Sequence, residues 1–414
     1  MKRAVLFLLS FVGVAVIIYA MAIVPNYSAF KTLFTNAEGM AEGSEYVANT
    51  YSLADLTTFI GNKPEHVSLV SLSLDEADSS LFYEADTPRT LGSLGNLILL
   101  YGYAQAVAEE RIDPNTPLSL EEISRFELPM ISQNAHDGAI EALTLETSTF
   151  TLDEVVSVMV EFNDLVLADF LWYTLGEENI QSTYAQLVDH LDLQVTELPI
   201  PNIAFYSAMA WAFNPELADA ATPLDRDSLN FILGTPELNS VRSQSQLRAH
   251  WQDVFLRHAR DLPSNPDNIV TFQNFFDGNR LNITFMQERD VLVWYPQTTA
   301  RELASILQFI FQDTTISAPV KELILDKLGW PNGSSTIERS FNFYFAQYDS
   351  RMGLLSGIDY GSSLYTGEER IQVIIFDQLP IAFWHHMSAN HMQEDFQQRL
   401  IWDPALYQTT KSKL

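Results

Sequence analysis

Strand-forming runs at both ends of the chain enclose a long helical region, and this order is what most constrains the fold. The first run, His66 to Leu72, alternates apolar and polar side chains with the period of two that a half-buried strand shows. Leu81 to Tyr83 continues this pattern after a polar turn, so the two runs predict a β-hairpin.

Strand patterns return only near the C-terminus, at Phe341 to Tyr348, around Gly361 to Tyr365 and at Arg370 to Phe376, before a last helix from about Met392 to Ile401. A sheet built from both chain ends around an inserted helical region is an α+β architecture. The order argues against a Rossmann fold, in which strands and helices alternate.

The segment from Leu94 to Glu110 is apolar on nearly every side, which predicts a helix buried inside the protein. We expect it to lie between the sheet and the helical region. Further helical patterns occupy Thr151 to Leu175, Ser228 to Leu233, Gln246 to Arg260 and Thr299 to Phe311. The first of these opens with the capping signal Thr151-Leu152-Asp153-Glu154.

An apolar run from Ala4 to Val24 follows Lys2 and Arg3 and is long enough to cross a bilayer as a helix. Ala20-Met21-Ala22 also resembles a signal-peptidase site, so a retained anchor and a cleaved signal peptide both remain open. In either case the positive end stays inside, and the rest of the chain is expected at the cell envelope, in the periplasm or on the extracytoplasmic face of the inner membrane.

The sequence thus divides into an anchor or signal peptide at 1–24, a spacer at 25–49 rich in turn formers, and one domain at 50–414. The helical subdomain of that domain spans about 94–330.

The formal net charge is −30, from 53 acidic and 23 basic residues, and this charge excludes binding to a phosphate backbone. We therefore expect no nucleic-acid partner. The chain has no cysteine, which rules out disulfides, thiolate metal sites and cysteine nucleophiles.

A serine stands at the start of the buried helix, in the stretch Thr90-Leu91-Gly92-Ser93-Leu94-Gly95-Asn96. The hairpin, this serine and the following helix are similar to the class A β-lactamases and related penicillin-binding proteins, in which a Ser-x-x-Lys motif occupies this place. The resemblance implies that Ser93 stands at the nucleophile position and Asn96 at that of the lysine. A carboxamide cannot take the serine proton, so Ser93 lacks that base and can be read as an ordinary helix cap.

The family's second motif, Ser-Asp-Asn, lies between two helices, and here Thr151-Leu152 and Leu175-Gly176 bracket Asn163-Asp164-Leu165. The resemblance implies that Asn163 replaces the proton-shuttling serine, whereas Leu165 replaces the asparagine that holds the substrate amide. Only Asp164 is kept. A buried carboxylate that braces a loop by accepting backbone N–H bonds explains it better than catalysis does.

The third motif, Lys-Thr-Gly, belongs on a late strand facing the serine, where it binds the substrate carboxylate. Arg351-Met352-Gly353 matches it best by order, keeping the charge and losing the hydroxyl. Tyr365-Thr366-Gly367 is closer in letters but is expected to be a hairpin turn. The family's deacylating glutamate has weak counterparts in Glu216 and Glu197.

The sequence carries no motif of the other catalytic mechanisms that we considered. It has no Gly-x-Ser-x-Gly, no His-Glu-x-x-His and no phosphate-binding loop. The offsets from His385 and His386 to His391 do not fit helical metal ligation, even with Glu394 nearby, and His250 and His258 are expected to be packing or surface groups. We predict no metal site and no cofactor.

Three hypotheses follow. The first is an exported, membrane-anchored serine hydrolase homologue without activity, which binds a ligand, cell-wall peptide or envelope protein, with Arg351 as an anion anchor. The second is an active hydrolase in which Asp164, Glu197 or Glu216 serves Ser93 as an unusual base. The third is a structural envelope protein whose cleft is filled by side chains.

Overall fold

The computed structural model describes residues 34–127, 133–145, 149–213, 284–329 and 341–414. The N-terminal elements are α1 (Ala37–Ala41), α2 (Ser44–Val47), α3 (Leu53–Asn62), β1 (Val67–Ser73), β2 (Leu81–Tyr83) and β3 (Arg89–Thr90). The elements between the two strand groups begin with α4 (Asn96–Ala108), β4 (Pro117–Leu118), α5 (Leu120–Ser124), α6 (Gln133–Thr144), β5 (Phe150–Thr151), α7 (Leu152–Phe162) and α8 (Leu165–Leu175).

The chain continues through α9 (Glu177–Leu191), α10 (Asn202–Phe213), α11 (Phe285–Val291), β6 (Gln297–Thr298), α12 (Ala300–Gln312) and α13 (Ala318–Leu328). It ends with β7 (Phe341–Arg351), β8 (Leu354–Ser363), β9 (Glu369–Phe376), α14 (Ile381–Ala389), α15 (Met392–Trp402) and α16 (Pro404–Lys413). Strands at both ends with helices between confirm the expected α+β fold.

Five strands form one antiparallel sheet in the order β2-β1-β9-β8-β7. The N-terminal hairpin joins the C-terminal strands where β1 pairs with β9, from Val67 opposite Phe376 to Ser73 opposite Arg370. This confirms the prediction that the two strand groups share one sheet. Strand β7 lies at an edge, so one side of its backbone faces the helical region instead of a further strand.

Helix α4 is buried between the sheet and the helical region, as its sequence predicts. Ten of its residues from Asn96 to Ala106 are buried, and its apolar side chains belong to the core that continues into α7, α8, α12 and the inner face of the sheet. A short 3-10 turn over Gly92–Gly95 leads into the helix, and Ser93 lies in this turn.

A second core covers the opposite face of the sheet, where α3, α14, α15 and α16 pack. Helix α16 was not predicted, and it ties the C-terminus to α3. The hydroxyls of Thr57 and Thr410 lie 3.5 Å apart, and Lys413 Nζ donates to Thr58 Oγ1 at 2.9 Å. The sheet therefore separates two cores, one on each face.

Two sequence expectations need correction or addition. Gly361–Tyr365 is not a strand of its own, because β8 begins at Leu354, ends at Ser363 and runs into the turn that contains Tyr365 and Gly367. The prediction that Tyr365-Thr366-Gly367 forms a hairpin turn is correct. Residues 37–47, assigned to the spacer, form α1 and α2, and Arg289 on α11 bonds to Glu42 beside them.

Several expected features lie outside the described residues: the apolar run at 4–24, the helical patterns at 228–233 and 246–260, His250, His258 and Glu216. In the part of the chain that the structure describes, no helix is both long and apolar enough to cross a membrane.

Candidate functional site

Ser93 lies in a buried turn against the edge strand of the sheet, and only 2% of its surface is exposed. Its backbone N–H donates to Asp349 Oδ2 at 2.7 Å. Gly92 has a φ of +58°, and a Cβ built on it would lie 2.4 Å from the same oxygen, so only glycine lets the carboxylate approach this closely. The Ser93 hydroxyl has no hydrogen-bond partner among the described residues.

Asn96 opens helix α4 one turn after Ser93 and is also buried. Its Nδ2 finds no partner within the described ranges. A neutral amide at this position cannot accept a proton from a neighbouring hydroxyl. The base that the family resemblance would place here is therefore absent.

Asn163 ends helix α7 in the left-handed conformation, with a φ of 49°, and the chain turns there before α8 begins. Its Nδ2 donates to the carbonyl of Tyr348 at 3.0 Å and lies 3.5 Å from Asp349 Oδ1. Gln347 Nε2 lies 3.4 Å from both Asn163 Oδ1 and the carbonyl of Ser93. The break between the two helices is thus bonded to strand β7 beside Ser93.

Asp164 is the N-cap of α8 and is fully buried. One oxygen accepts from the N–H of Leu167 at 2.7 Å, and the other bonds to His136 Nδ1 at 2.8 Å. Asp164 therefore braces the turn before α8, which is the role that the sequence suggested for it. The other ring nitrogen of His136 lies 3.0 Å from Glu127. Burial lowers the pKa of His136, but the bonds to the two carboxylates more than offset this and raise that pKa to about 9.

Arg351 ends strand β7 and is buried. Its Nε bonds to Asp349 Oδ2 at 3.1 Å, its Nη2 donates to Asn202 Oδ1 at 3.2 Å, and the guanidinium lies 4.9 Å from the centre of the Tyr295 ring. Burial disfavours the charge, but the attraction of Asp349 raises the pKa of Arg351 above its usual value. Nη1 alone has no partner among the described residues.

Met352 and Gly353 do not lie on a strand, because they form the turn between β7 and β8. Gly353 has a φ of +77°, and a Cβ there would meet Arg289 Cγ at 2.3 Å. Its carbonyl accepts from the N–H of Leu379 at 2.9 Å. Gly353 therefore allows the chain to reverse direction between β7 and β8 and lets Arg289 pack closely against it.

A second buried carboxylate extends the network behind Arg351. Asp169 on α8 accepts hydrogen bonds from the N–H groups of Asn202 and Ile203, both at 2.6 Å, at the start of α10. Burial raises the pKa of Asp169 to about 7, although these bonds and the charge of Arg351 act in the opposite direction. Tyr295 donates to Asn202 Oδ1 at 2.9 Å.

The structure therefore brings Ser93, Asn163 and Arg351 together, and it does so around one carboxylate, that of Asp349. Sequence reasoning missed Gln347, Asp349, Asn202 and His136. One signal could have found the first two: polar residues at 347, 349 and 351 recur with the period of a strand and so share one face of β7.

The alternative bases suggested for Ser93 have other roles where the structure describes them. Glu197 accepts from the N–H of Gln297 at 2.9 Å and braces the segment beside β6. No group of three or more ligating side chains that could hold a metal occurs in the described residues. His391 instead pairs with Glu394 at 2.8 Å, and His386 Nε2 lies 2.9 Å from the carbonyl of Thr50.

No family model matches the chain, and no curated protein matches it. Among solved structures, a β-lactamase from Chitinophaga pinensis is 12% identical, with a TM-score of 0.48, over 85% of this chain and 99% of that one. A β-lactamase from Burkholderia vietnamiensis is 9% identical, with a TM-score of 0.46, over 84% and 93%. PBP-A, with 12% identity and a TM-score of 0.45, covers 83% of this chain and 96% of its own. At these identities and TM-scores they are likenesses only, and no role is carried from them to this chain.

Proposed function

We propose that this chain is an exported, membrane-anchored protein of β-lactamase-like fold that has no hydrolase activity and acts by binding, with a cell-wall peptide or envelope protein as partner. The observation that carries the proposal is the carboxylate of Asp349 on the backbone N–H of Ser93, at 2.7 Å. Acyl transfer at a serine develops negative charge on the substrate oxygen, which backbone N–H donors must stabilise. Here a negative charge already occupies this donor.

The nucleophile also lacks activation. A serine hydroxyl becomes a useful nucleophile when a base lies within hydrogen-bond reach of its oxygen. The Ser93 hydroxyl has no such partner in the described part of the chain, and Asn96 cannot act as a base. Asp164, one of the three bases suggested by the competing hydrolase hypothesis, already bonds through one oxygen to the N–H of Leu167 and through the other to His136.

Export and anchoring rest on the sequence. The apolar run from Ala4 to Val24 behind Lys2 and Arg3 suits a helix that holds the domain on the extracytoplasmic side of the membrane. A domain in that place can act by binding without a working nucleophile, and this is the role that we propose.

The test is acylation by a penicillin. The full chain is incubated for a long period with penicillin and its mass is measured, with Ser93→Ala as the matched control. Loss of a positioned base alone costs a factor of about 10² to 10⁴ in rate, so we expect no adduct in either protein. A stoichiometric adduct that maps to Ser93 and is absent from Ser93→Ala would overturn the proposal and establish a serine hydrolase.

A further inference from the structure

The described segment closest in sequence to the proposed anchor exposes several large apolar side chains. Eight large apolar residues of the described chain are exposed, and three of them, Phe34, Met40 and Tyr51, lie among its first eighteen residues. Phe34 is 80% exposed and Met40 is 46% exposed. Single apolar residues on a surface are normal, whereas a group of them in one place marks a site of contact.

Helix α1 carries part of this group on its outward side. Four of the six exposed residues between positions 34 and 41 are apolar, and one is charged: Phe34, Thr35, Ala37, Glu38, Met40 and Ala41. The opposite side of α1 is buried, because Gly39 lies against Met286 and Ile381. We call Phe34, Ala37, Met40 and Ala41 the N-terminal apolar surface.

The N-terminal apolar surface is fixed to the body of the domain. The side chain of Asn36 accepts from the N–H of Phe285 at 2.6 Å, at the start of α11. The carbonyl of Glu42 accepts from the N–H of Ala382 on α14 at 3.1 Å, and its carboxylate bonds to Arg289 on α11. Helix α1 therefore keeps one orientation relative to α11 and α14, and whatever its outward side contacts also orients the whole domain.

The sequence limits how far this surface can lie from the membrane, and this step rests on the anchor proposed above. The apolar run ends at Val24, and nine residues, 25–33, separate it from Phe34. A fully extended chain spans at most about 3.6 Å per residue, so Phe34 lies within about 36 Å of the end of the run. With the run in the bilayer, α1 is the described helix that is closest along the chain to the membrane surface.

The charges of this segment decide which lipid surface fits. From residue 34 to residue 62 the chain has four acidic residues and no lysine or arginine. Glu42 is bonded to Arg289, whereas Glu38 and Glu45 are exposed. Anionic headgroups would repel these carboxylates, whereas zwitterionic headgroups carry no net charge. Apolar side chains can enter the boundary between headgroups and acyl chains to a depth of about 5–10 Å. The surface therefore suits a zwitterionic bilayer.

We propose that the N-terminal apolar surface lies on the zwitterionic surface of the membrane that holds the anchor, with Phe34 and Met40 between the headgroups and the acyl chains. Because α1 is fixed to α11 and α14, this contact holds the whole domain in one orientation. The anchor then sets the distance of the domain from the membrane, and α1 sets which side of the domain faces it.

The far end of the sheet offers a matched control position. Strand β8 begins beside α14, since the carbonyl of Gly353 accepts from the N–H of Leu379, two positions before Ile381. Its ten residues span about 33 Å and lead into the turn that contains Tyr365. Tyr365 is 68% exposed. It is therefore as open to solvent as the N-terminal apolar surface but lies at the opposite end of the sheet.

The test places single nitroxide labels on the full chain in phosphatidylcholine vesicles, which the absence of native cysteine makes possible. Ala37→Cys labels the N-terminal apolar surface and leaves Phe34 and Met40 in place. Tyr365→Cys is the matched control, and Ile18→Cys reports on the apolar run. Electron paramagnetic resonance measures collisions of each label with oxygen, which concentrates in lipid, and with a water-soluble nickel chelate. We expect an oxygen-to-nickel ratio several-fold higher for Ala37→Cys than for Tyr365→Cys.

Adding Phe34→Ser and Met40→Ser to the Ala37→Cys chain should lower its ratio to that of Tyr365→Cys, and phosphatidylglycerol in the vesicles should lower it in part. Far-UV circular dichroism checks that each variant is folded. Equal ratios for Ala37→Cys and Tyr365→Cys, with Ile18→Cys in the bilayer interior, would overturn this contact and leave the anchor standing. An aqueous ratio for Ile18→Cys would overturn both.

A second copy of the chain is the other possible occupant of this surface. Dipolar broadening between Ala37→Cys labels that persists when the protein is diluted in excess lipid would show that a second copy covers the surface, and it would overturn the lipid contact.

Discussion

The two faces of strand β7 both carry polar residues, but the surroundings of these residues differ. On the inner face, Asp349 and Arg351 pair with each other and with groups from three other elements. On the outer face, Ser350 is exposed and borders a small cavity that opens to solvent.

The contrast shows that the positions matching the sequence motifs can lie in a packed structural network. A buried ion pair stabilises a structure only while both partners remain. The inner face therefore has the features of a structural centre, whereas the outer face is partly open to solvent.

Arg351→Met is the change with the largest expected effect. It leaves Asp349 as a buried charge without its cation, and removing one partner of a buried pair typically costs about 3–5 kcal/mol. We expect a loss of this size in the free energy of unfolding, measured with urea. The double variant Asp349→Asn/Arg351→Met should recover much of the loss, because it removes both charges.

The matched change on the outer face is Ser350→Ala, which should alter stability by no more than about 0.5 kcal/mol, since Ser350 is exposed. A cost below about 1 kcal/mol for Arg351→Met would mean that the inner face is not the structural centre that the comparison makes it.

The stability of the protein should depend on pH through one buried carboxyl group on each side of the sheet. Burial raises the pKa of Asp359, on the outer face, to about 8 and that of Asp169, behind Arg351, to about 7. Both groups bind protons more tightly when folded than when unfolded. Their contribution is therefore fully present below pH 4 and is lost as the pH rises through 7 and 8.

We expect the free energy of unfolding to fall by more than about 1 kcal/mol between pH 5 and pH 8.5, since one unit of pKa displacement corresponds to about 1.4 kcal/mol. Urea titrations across this range measure it. Asp359→Asn should make the decline less steep over the whole range from about pH 5 to pH 8, because it removes one of the groups that take up a proton on folding. If the free energy of unfolding of the wild type rises over the same range, the raised pKa values of Asp169 and Asp359 are contradicted.

Ser93→Ala should have the smallest effect. The hydroxyl has no hydrogen-bond partner in the described residues, so its removal leaves no other group unsatisfied. We expect a change within about 0.5 kcal/mol in the free energy of unfolding. A loss of more than about 1.5 kcal/mol would mean that the hydroxyl holds part of the inner network, and the comparison of the two faces would need to include it.

Much of the fold could be predicted from the sequence because its signals are local. The strand β1, the apolar sides of α4 and the capping signal at Thr151 depend on near neighbours, and the structure has each of them. Strand β1 is, however, buried along nearly its whole length and is not the half-buried strand that its alternation predicts, because a core packs on each face of the sheet. Helix α16 was missed because its sequence has a weak apolar pattern and its packing against α3 joins opposite ends of the chain.

The contacts of the site could not be predicted in the same way. The position of Asp349 against Ser93 depends on where β7 ends relative to α4, and no local pattern contains this information. Matching the order of the family's motifs led to Arg351 and passed over Asp349, two residues earlier, although that residue connects all three motif positions. His136 was missed because its partners are a helix cap 28 positions away and a loop carboxylate.

The pairing of β1 with β9 also has a consequence for how the protein is made. It places Ser71 opposite Gln372, 301 positions away, so the central sheet cannot form until nearly the whole chain has been synthesised. At ribosomal rates of about 5–20 residues per second, the N-terminal hairpin waits roughly 15–60 s for its partner strand. During that time the apolar side chains of β1 need protection from aggregation, and a chaperone that binds extended segments would provide it.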